Sequence, residues 1–188
     1  MFGTHNRLLR LVGWDAAYLE IIAIHPGASP TRRAPLRRWF DLDDPTLQAR
    51  LRTTGPQLIH WVARVSEIDA ARAAWLAMGI DPGPVLSASR ETPQGLLQWR
   101  ITVPDDGRRG FDGALPTLIQ WDGPHPTHTM APAGLRLTRL ALTHPNADDL
   151  RRALLALGLD GIAVHQGATA LDAQLSIGGH EVRLLSTA

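Results

Sequence analysis

The chain carries HWVARVSEIDAARAAWLAMGID at residues 60–81 and repeats its pattern, without a gap, as RLALTHPNADDLRRALLALGLD at residues 139–160. The offset is 79 positions throughout. In each copy a short apolar run leads into a stretch with apolar residues at helical spacing and a terminal Gly, which predicts a strand followed by a helix. Identical pairs are Asp69/Asp148, Arg72/Arg151, Ala74/Ala153, Leu76/Leu155, Ala77/Ala156, Gly79/Gly158 and Asp81/Asp160, and the helix face Ala71, Trp75, Met78 recurs as Leu150, Leu154, Leu157. Each copy is therefore predicted to be one structural unit.

The copies differ at their first position, where His60 corresponds to Arg139. Imidazole is a common metal ligand and proton carrier, whereas a guanidinium is neither. Metal-type chemistry is therefore predicted in one copy only.

Around the repeat, the pattern predicts mostly strands. Alternation and turn signals predict strands at Asn6–Val12 and Ala17–Ile24, then an irregular connector with one helical stretch at Thr46–Arg52. The middle unit is predicted as strand Leu58–Val65, helix Ile68–Met78 and strands Pro84–Ser89, Leu96–Val103 and Pro116–Trp121; the last unit as strand Leu135–Thr143, helix Ala147–Leu157, a strand near Ile162–His165 and the hairpin Ala170–Ile177 with Glu181–Ser186.

This element order gives two βαβββ units preceded by two strands, an α+β fold. We expect an incomplete first unit at residues 1–26, a connector at 27–56, a complete unit at 57–123 and a third unit at 135–188. The elements that the first unit lacks are expected either upstream of Met1 or in another chain. The edge they leave is expected to be covered by a second copy, as a homodimer, or by the Arg-rich connector.

Composition excludes several classes of function. The chain has no Cys, so it has neither disulfides nor a thiol nucleophile. All 19 basic residues are Arg, and Schiff-base and P-loop chemistry both need Lys. We find no apolar run long enough to span a membrane and no export leader, so a cytoplasmic protein is expected.

Charge argues against nucleic acid as a partner. The formal net charge is only +1, and the one dense basic run, at residues 32–38, is followed at once by acidic residues at 41–44. The acidic residues largely cancel the field of the basic run.

Several short motifs resemble the vicinal oxygen chelate superfamily, of glyoxalase, extradiol dioxygenase and bleomycin-resistance type, and above all its glyoxalase-like domain group. The motifs are Gly3-Thr4-His5-Asn6, Tyr18-Leu19-Glu20, His60-Trp61-Val62, Ser89-Arg90, Trp99-Arg100 with Thr102-Val103-Pro104, and His144-Pro145. The resemblance covers essentially the whole chain and implies tandem βαβββ units.

In metal-dependent members of that superfamily, ligands come from the first and last strands of paired units. The resemblance implies Glu20, His60 and Gln120 as ligands of a divalent metal (Zn, Ni, Mn or Fe), converging in one cleft, with Glu20 and His60 also catalytic. The fourth ligand would lie in the segment that the first unit lacks. Gln120 stands where a Glu is common, which lowers the negative charge offered to a hard cation.

Each residue also has a plainer reading. Glu20 could pair with an Arg such as Arg100, His60 could be a satisfied core imidazole, and Gln120 could be a cross-strand partner. Substrate-binding roles are predicted for His5, Asn6, Arg90, Trp99 and Arg100, of which the arginines could anchor an anion or form structural ion pairs. Surface positions are expected for the histidines that lie next to Pro, Gly or polar residues, which are His25, His125, His128, His165 and His180.

Two classes of function remain. The first is a metal-dependent lyase, isomerase or dioxygenase whose metal polarises adjacent oxygens of a small substrate. The second is a metal-free protein that binds or sequesters a small molecule, as bleomycin-resistance proteins do. The sequence does not identify the substrate.

Overall fold

The chain forms three helices and ten strands in a computed structural model that describes residues 2–32 and 34–187. Arg33, part of the basic run, lies outside the described residues. The strands and helices are β1 Thr4–Val12, β2 Tyr18–Ile24, α1 Pro45–Thr54, β3 Val62–Arg64, α2 Ile68–Ala77, β4 Val85–Thr92, β5 Gly95–Thr102, β6 Thr117–Asp122, β7 Pro132–His144, α3 Ala147–Leu155, β8 Ala163–Gln166, β9 Ala170–Ile177 and β10 His180–Thr187. The predicted α+β class is confirmed.

The two repeated helices end in the same way. Gly79 and Gly158 both have a positive φ, 77° and 70°, a conformation that glycine adopts without steric cost. The residue after each glycine donates its N–H to the carbonyl of Trp75 or Leu154, at 2.9 and 3.0 Å. The gapless repeat therefore encodes the same helix stop twice.

The strands form two sheets. The four-stranded sheet has the order β3-β6-β5-β4 and belongs wholly to the middle unit. The six-stranded sheet has the order β10-β9-β7-β1-β2, with β8 beside β7. The hairpin β1–β2 thus shares a sheet with the last unit, through parallel pairing of β1 with β7.

Strand pairing does not follow the sequence repeat. In the middle unit the first strand, β3, pairs in parallel with the last, β6. In the last unit the first strand, β7, pairs with β8 and β9 instead. Strand length accounts for part of this difference, because β7 has 13 residues and β3 only three.

A single apolar core joins the two repeats. Ile68, Trp75 and Leu118 of the middle unit pack with Leu142 and Leu150 of the last unit. The indole N–H of Trp75 also donates to the Ala153 carbonyl at 2.8 Å. Trp75 of α2 and Leu150 and Leu154 of α3 thus belong to this core, as the repeat predicts. Met78, which is predicted on the same face of α2, is instead exposed (38%).

A bulge in β7 keeps its apolar side chains on one face. The register against β9 shifts between Leu137 and Arg139, and the Thr138 hydroxyl donates to the Gln174 carbonyl at 3.0 Å. Simple alternation would place Leu137 and Leu140 on opposite faces. Because the bulge adds one residue, both face the core side of the sheet.

The predicted strand Leu58–Val65 is too long, since β3 begins only at Val62. Side chains take the place of ladder bonds there: Arg109 donates to the Ile59 carbonyl, and His60 bonds to Thr117. These bonds satisfy the Ile59 carbonyl and the Thr117 N–H without a neighbouring strand.

The connector folds onto the middle unit. Its backbone bonds to the loop that follows β5, from Arg37 N to Asp105 O and from Asp41 N to Gly107 O, both 2.9 Å. The only strand that pairs with β2 is β1, so among the described residues the connector adds no strand to that edge. None of the described helices is long and apolar enough to cross a membrane.

Candidate functional site

A polar cluster lies where the hairpin β1–β2 faces the four-stranded sheet. Asn6 and Glu20 lie on the same face of the hairpin, because Asn6 pairs with Ile22 and Leu8 with Glu20. The Asn6 amide N–H donates to Glu20 Oε1 at 2.6 Å. We call Asn6, Tyr18, Glu20 and Arg90 the Glu20 cluster.

Arg90 of β4 joins the two sheets at this point. Its Nη1 donates to Asn6 Oδ1 at 2.9 Å across 84 positions of sequence. Asn6 thus uses its oxygen toward a cation and its nitrogen toward a carboxylate. One amide therefore holds a positive and a negative group close together, one from each sheet.

Burial changes the acid–base behaviour of two members of the cluster. Desolvation raises the pKa of Glu20, while the Asn6 hydrogen bond and the Arg90 charge oppose the rise. Desolvation and the nearby Glu20 charge also raise the pKa of Tyr18. Glu20 therefore takes up a proton more readily than an exposed Glu, and Tyr18 stays a neutral phenol.

An aromatic wall continues from the cluster. The ring centroids of Tyr18 and His125 lie 5.7 Å apart, those of His125 and Trp121 5.3 Å, and those of Trp121 and Trp99 5.4 Å. Such spacings are those of edge-on and tilted aromatic contacts. A row of aromatic rings thus runs from Tyr18 of the Glu20 cluster to Trp99.

His125 is buried, which corrects the expectation that it lies at the surface: only 6% of it is exposed. Burial, followed by the positive charges of Arg64 and His128, lowers the pKa of His125 to about 4. Its Nδ1 accepts the Thr127 backbone N–H at 3.3 Å. The sequence feature that accompanies this burial is the position of His125 directly before Pro126. There the imidazole caps the 3₁₀ turn that begins at Pro126.

His60 is a structural residue by its contacts. Its Nδ1 donates to the Gly113 carbonyl at 3.2 Å, and its Nε2 accepts the Thr117 backbone N–H at 3.2 Å. Burial and the Arg109 charge lower the pKa of His60 to about 3. The imidazole is therefore neutral, and both of its ring nitrogens are already hydrogen-bonded. Neither nitrogen is left to bind a metal.

Gln120 and Arg100 lie on the opposite face of the four-stranded sheet from Trp99 and Trp121. They are direct partners on neighbouring strands, and both contact α2. Gln120 Oε1 accepts the first N–H of the helix, from Ile68, at 2.9 Å. Arg100 donates to both carboxylate oxygens of Asp69, at 3.0 and 2.8 Å. Arg100, for which a substrate-binding role is predicted, thus bonds to helix α2 on the face opposite Trp99.

His5 also faces away from the Glu20 cluster. It neighbours Asn6 on β1, so alternation places it on the other face, where it is exposed and its ring lies 5.3 Å from that of His25. Of the residues predicted to bind substrate, Asn6 and Arg90 therefore belong to the Glu20 cluster and Trp99 to the row of aromatic rings, whereas His5 and Arg100 face other parts of the molecule.

The side-chain contacts do not show the predicted convergence of Glu20, His60 and Gln120. Each engages a different set of partners: Asn6, the Gly113–Thr117 segment and α2. Within residues 2–32 and 34–187, no three His, Asp or Glu side chains cluster as metal ligands do. The Arg90 guanidinium near Glu20 further disfavours a divalent cation. The donor set therefore does not fit the implied metal.

Replacing Gln120 by Ala should lower the free energy of unfolding by about 1 kcal/mol, because the first N–H of α2 loses its acceptor. Urea denaturation measures the change. Gln98→Ala, an exposed amide on the adjacent strand, is the matched control and should be nearly neutral. Equal effects of the two variants would contradict the capping role.

Residues 1–158 match the family model of the glyoxalase-like domain. The match covers more than half of the chain, so the chain belongs to the glyoxalase-like domain family of the vicinal oxygen chelate superfamily. No curated protein and no solved structure matches the chain. The family assignment confirms the resemblance read from the motifs and leaves the reaction open.

Proposed function

We propose that the chain binds a small organic molecule at the Glu20 cluster, between the hairpin β1–β2 and the four-stranded sheet, without a metal. The observation that carries the proposal is the setting of the Glu20 carboxylate. It is partly buried, burial raises its pKa, and its Oε1 accepts the Asn6 amide N–H at 2.6 Å. Carboxylates whose pKa is raised by burial beside a charged partner are frequent at functional sites.

The groups around Glu20 define the ligand chemistry. Only Oε1 of Glu20 is bonded among the described residues, so Oε2 is free to accept a hydrogen bond or a proton from a hydroxyl. Arg90 is exposed and offers further N–H donors to a carboxylate or another oxygen. The aromatic wall suits a flat apolar ring. The ligand we expect is therefore an aromatic or similarly planar molecule that carries oxygen substituents.

The metal-dependent lyase, isomerase or dioxygenase implied by the superfamily is less well supported. Of the three implied ligands, His60 and Gln120 are engaged elsewhere, and Glu20 lies beside a guanidinium. We therefore assign Glu20 the role of proton or hydrogen-bond acceptor. Binding or sequestration at the Glu20 cluster is the function that the side chains support best.

Binding of salicylate, benzoate and phenol should separate the roles of the two charged groups. Replacing Glu20 by Gln should weaken phenol and salicylate by about 10-fold, because a charged acceptor contributes roughly 1.5–3 kcal/mol to a hydrogen bond. Replacing Arg90 by Ala should weaken benzoate and salicylate and leave phenol unchanged. Isothermal titration calorimetry measures the affinity of each protein for the three molecules.

Arg100→Ala is the matched control, since Arg100 lies on the helix side of the same sheet and should leave all three affinities unchanged. If none of the three molecules binds, or if Arg90→Ala and Arg100→Ala behave alike, the assignment of the Glu20 cluster fails.

A further inference from the structure

A cavity of about 920 Å³ lies where the two repeats meet. Its walls come from residues 79–82 at the end of α2, from the segment 108–116 between β5 and β6, and from Asp149 and Arg152 of α3. Thr102 also lines the cavity, and alternation along β5 places it on the face of the sheet opposite Trp99. The cavity is therefore separate from the Glu20 cluster, and its volume suits a small molecule.

Arg109 offers a buried guanidinium to this cavity. Its side chain lines the cavity and is only 10% exposed. Two hydrogen bonds fix it: Nε donates to Asp41 Oδ2 at 2.8 Å, and Nη1 donates to the Ile59 carbonyl. Within the described part of the chain, Nη2 has no acceptor. A guanidinium held in this way can bind a carboxylate without first having to be ordered.

Asp112 provides the opposite charge on the same loop. Its side chain is 67% exposed, lies 3.7 Å from His144 Nε2 and accepts the Thr169 hydroxyl at 3.3 Å. No guanidinium among the described residues pairs with it. Asp81 and Asp149, the other carboxylates that line the cavity, each have an Arg partner. Asp112 therefore remains available to a positively charged group.

The backbone around Asp112 is strained. Phe111 and Asp112 both have a left-handed conformation, with φ of 49° and 52°. Residues other than Gly seldom adopt it, and where they do, the strain is often found at ligand sites. The side chain of Phe111 lines the cavity together with Ile80 and Leu115. Apolar surface is thus available beside the two charged groups.

We propose that this cavity binds a small zwitterion with an apolar side chain, such as an aliphatic amino acid. Arg109 Nη2 binds the carboxylate of the ligand, Asp112 binds its ammonium group, and its side chain packs against Phe111. A ligand with a single charge would leave one of the two protein groups without a partner. The site lies outside the Glu20 cluster, so this proposal does not rest on the proposed function.

Three probes of similar shape separate the two charged contacts. L-leucine carries both charges, L-leucinamide lacks the carboxylate, and isocaproate lacks the ammonium group. Titration followed by amide NMR measures each Kd and locates the binding site. L-leucine should shift the amides of Gly110 and Gly113, which flank Phe111 and Asp112, and should bind about 10-fold more tightly than either of the other probes.

Asp112→Asn removes the charge without adding strain, because Asn adopts the left-handed backbone readily. It should weaken L-leucine by about 10-fold and leave isocaproate unchanged. Asp160→Asn, at an exposed acid outside the cavity, is the matched control and should bind L-leucine as wild type does.

Wild-type protein that does not bind L-leucine at about 10 mM, or equal affinities of the Asp112→Asn and Asp160→Asn variants, would overturn the proposal. The Glu20→Gln variant distinguishes the two sites. It should bind L-leucine as wild type does, whereas a loss of L-leucine binding in this variant would place the ligand at the Glu20 cluster and also overturn the proposal.

Discussion

Replacing Trp75 by Ala should lower the free energy of unfolding by about 3–5 kcal/mol, the range for removing a fully buried Trp. No part of Trp75 is exposed, and it packs among core residues of both repeats. The variant also removes the indole bond to the Ala153 carbonyl. Guanidinium denaturation followed by circular dichroism measures the change.

The companion variant Leu155→Ala, on the exposed side of α3, should change stability by less than about 0.5 kcal/mol. Because one core joins the repeats, both variants should unfold in a single transition. Two separate transitions would contradict a shared core, and a Trp75→Ala effect near that of Leu155→Ala would contradict the packing.

Acidification should destabilise the protein well above the pH at which carboxylates titrate. An unfolded His protonates below a pKa of 6.5, whereas in the fold the pKa of His60 is lowered to about 3. The unfolded state therefore binds the proton first. The stability is fully present above pH 6.5 and is lost as the pH falls toward 3. Between pH 6.5 and 5 the loss from His60 is about 2 kcal/mol.

His125, with its pKa lowered to about 4, adds a loss of the same sign. Urea denaturation at a series of pH values measures the combined loss in the free energy of unfolding from both histidines. Replacing His60 by Gln should reduce the slope between pH 6 and 4 by about 1.4 kcal/mol per pH unit. The exposed His180→Gln variant serves as the control. A His60→Gln slope equal to that of wild type would refute the buried neutral imidazole.

The order of strands and helices could be predicted from the sequence because it depends on local pattern. The repeat around Trp75 and Leu154 gave both helices and their glycine ends. Strand pairing could not be predicted in the same way. The repeat suggests equal units, but β7 pairs along most of its length while β3 is short, and that difference depends on contacts far apart in sequence.

The site was predicted in part. Glu20, Asn6, Arg90 and Trp99 were named from their motifs, and hydrogen bonds join the first three in the folded chain. Trp99 and Arg100 are adjacent on one strand, so alternation alone requires that they face opposite sides. The sequence does not show which face of the four-stranded sheet packs against helix α2. For the same reason it does not show that Gln120 bonds to that helix. The burial of His125 depends on Tyr18 and Trp121, which meet it only in the folded chain.

The bulge at Thr138 divides β7 into two segments with different partners. The matched stretch of the repeat begins at Arg139, directly after the bulge. The segment before the bulge is the part that pairs with β1, through Leu135 and Arg136. The hairpin that carries Glu20 is thus attached to β7 on the far side of the bulge from the strand pairs of the last unit with β8. A change that removes the bulge would therefore alter the register between the hairpin and the last unit.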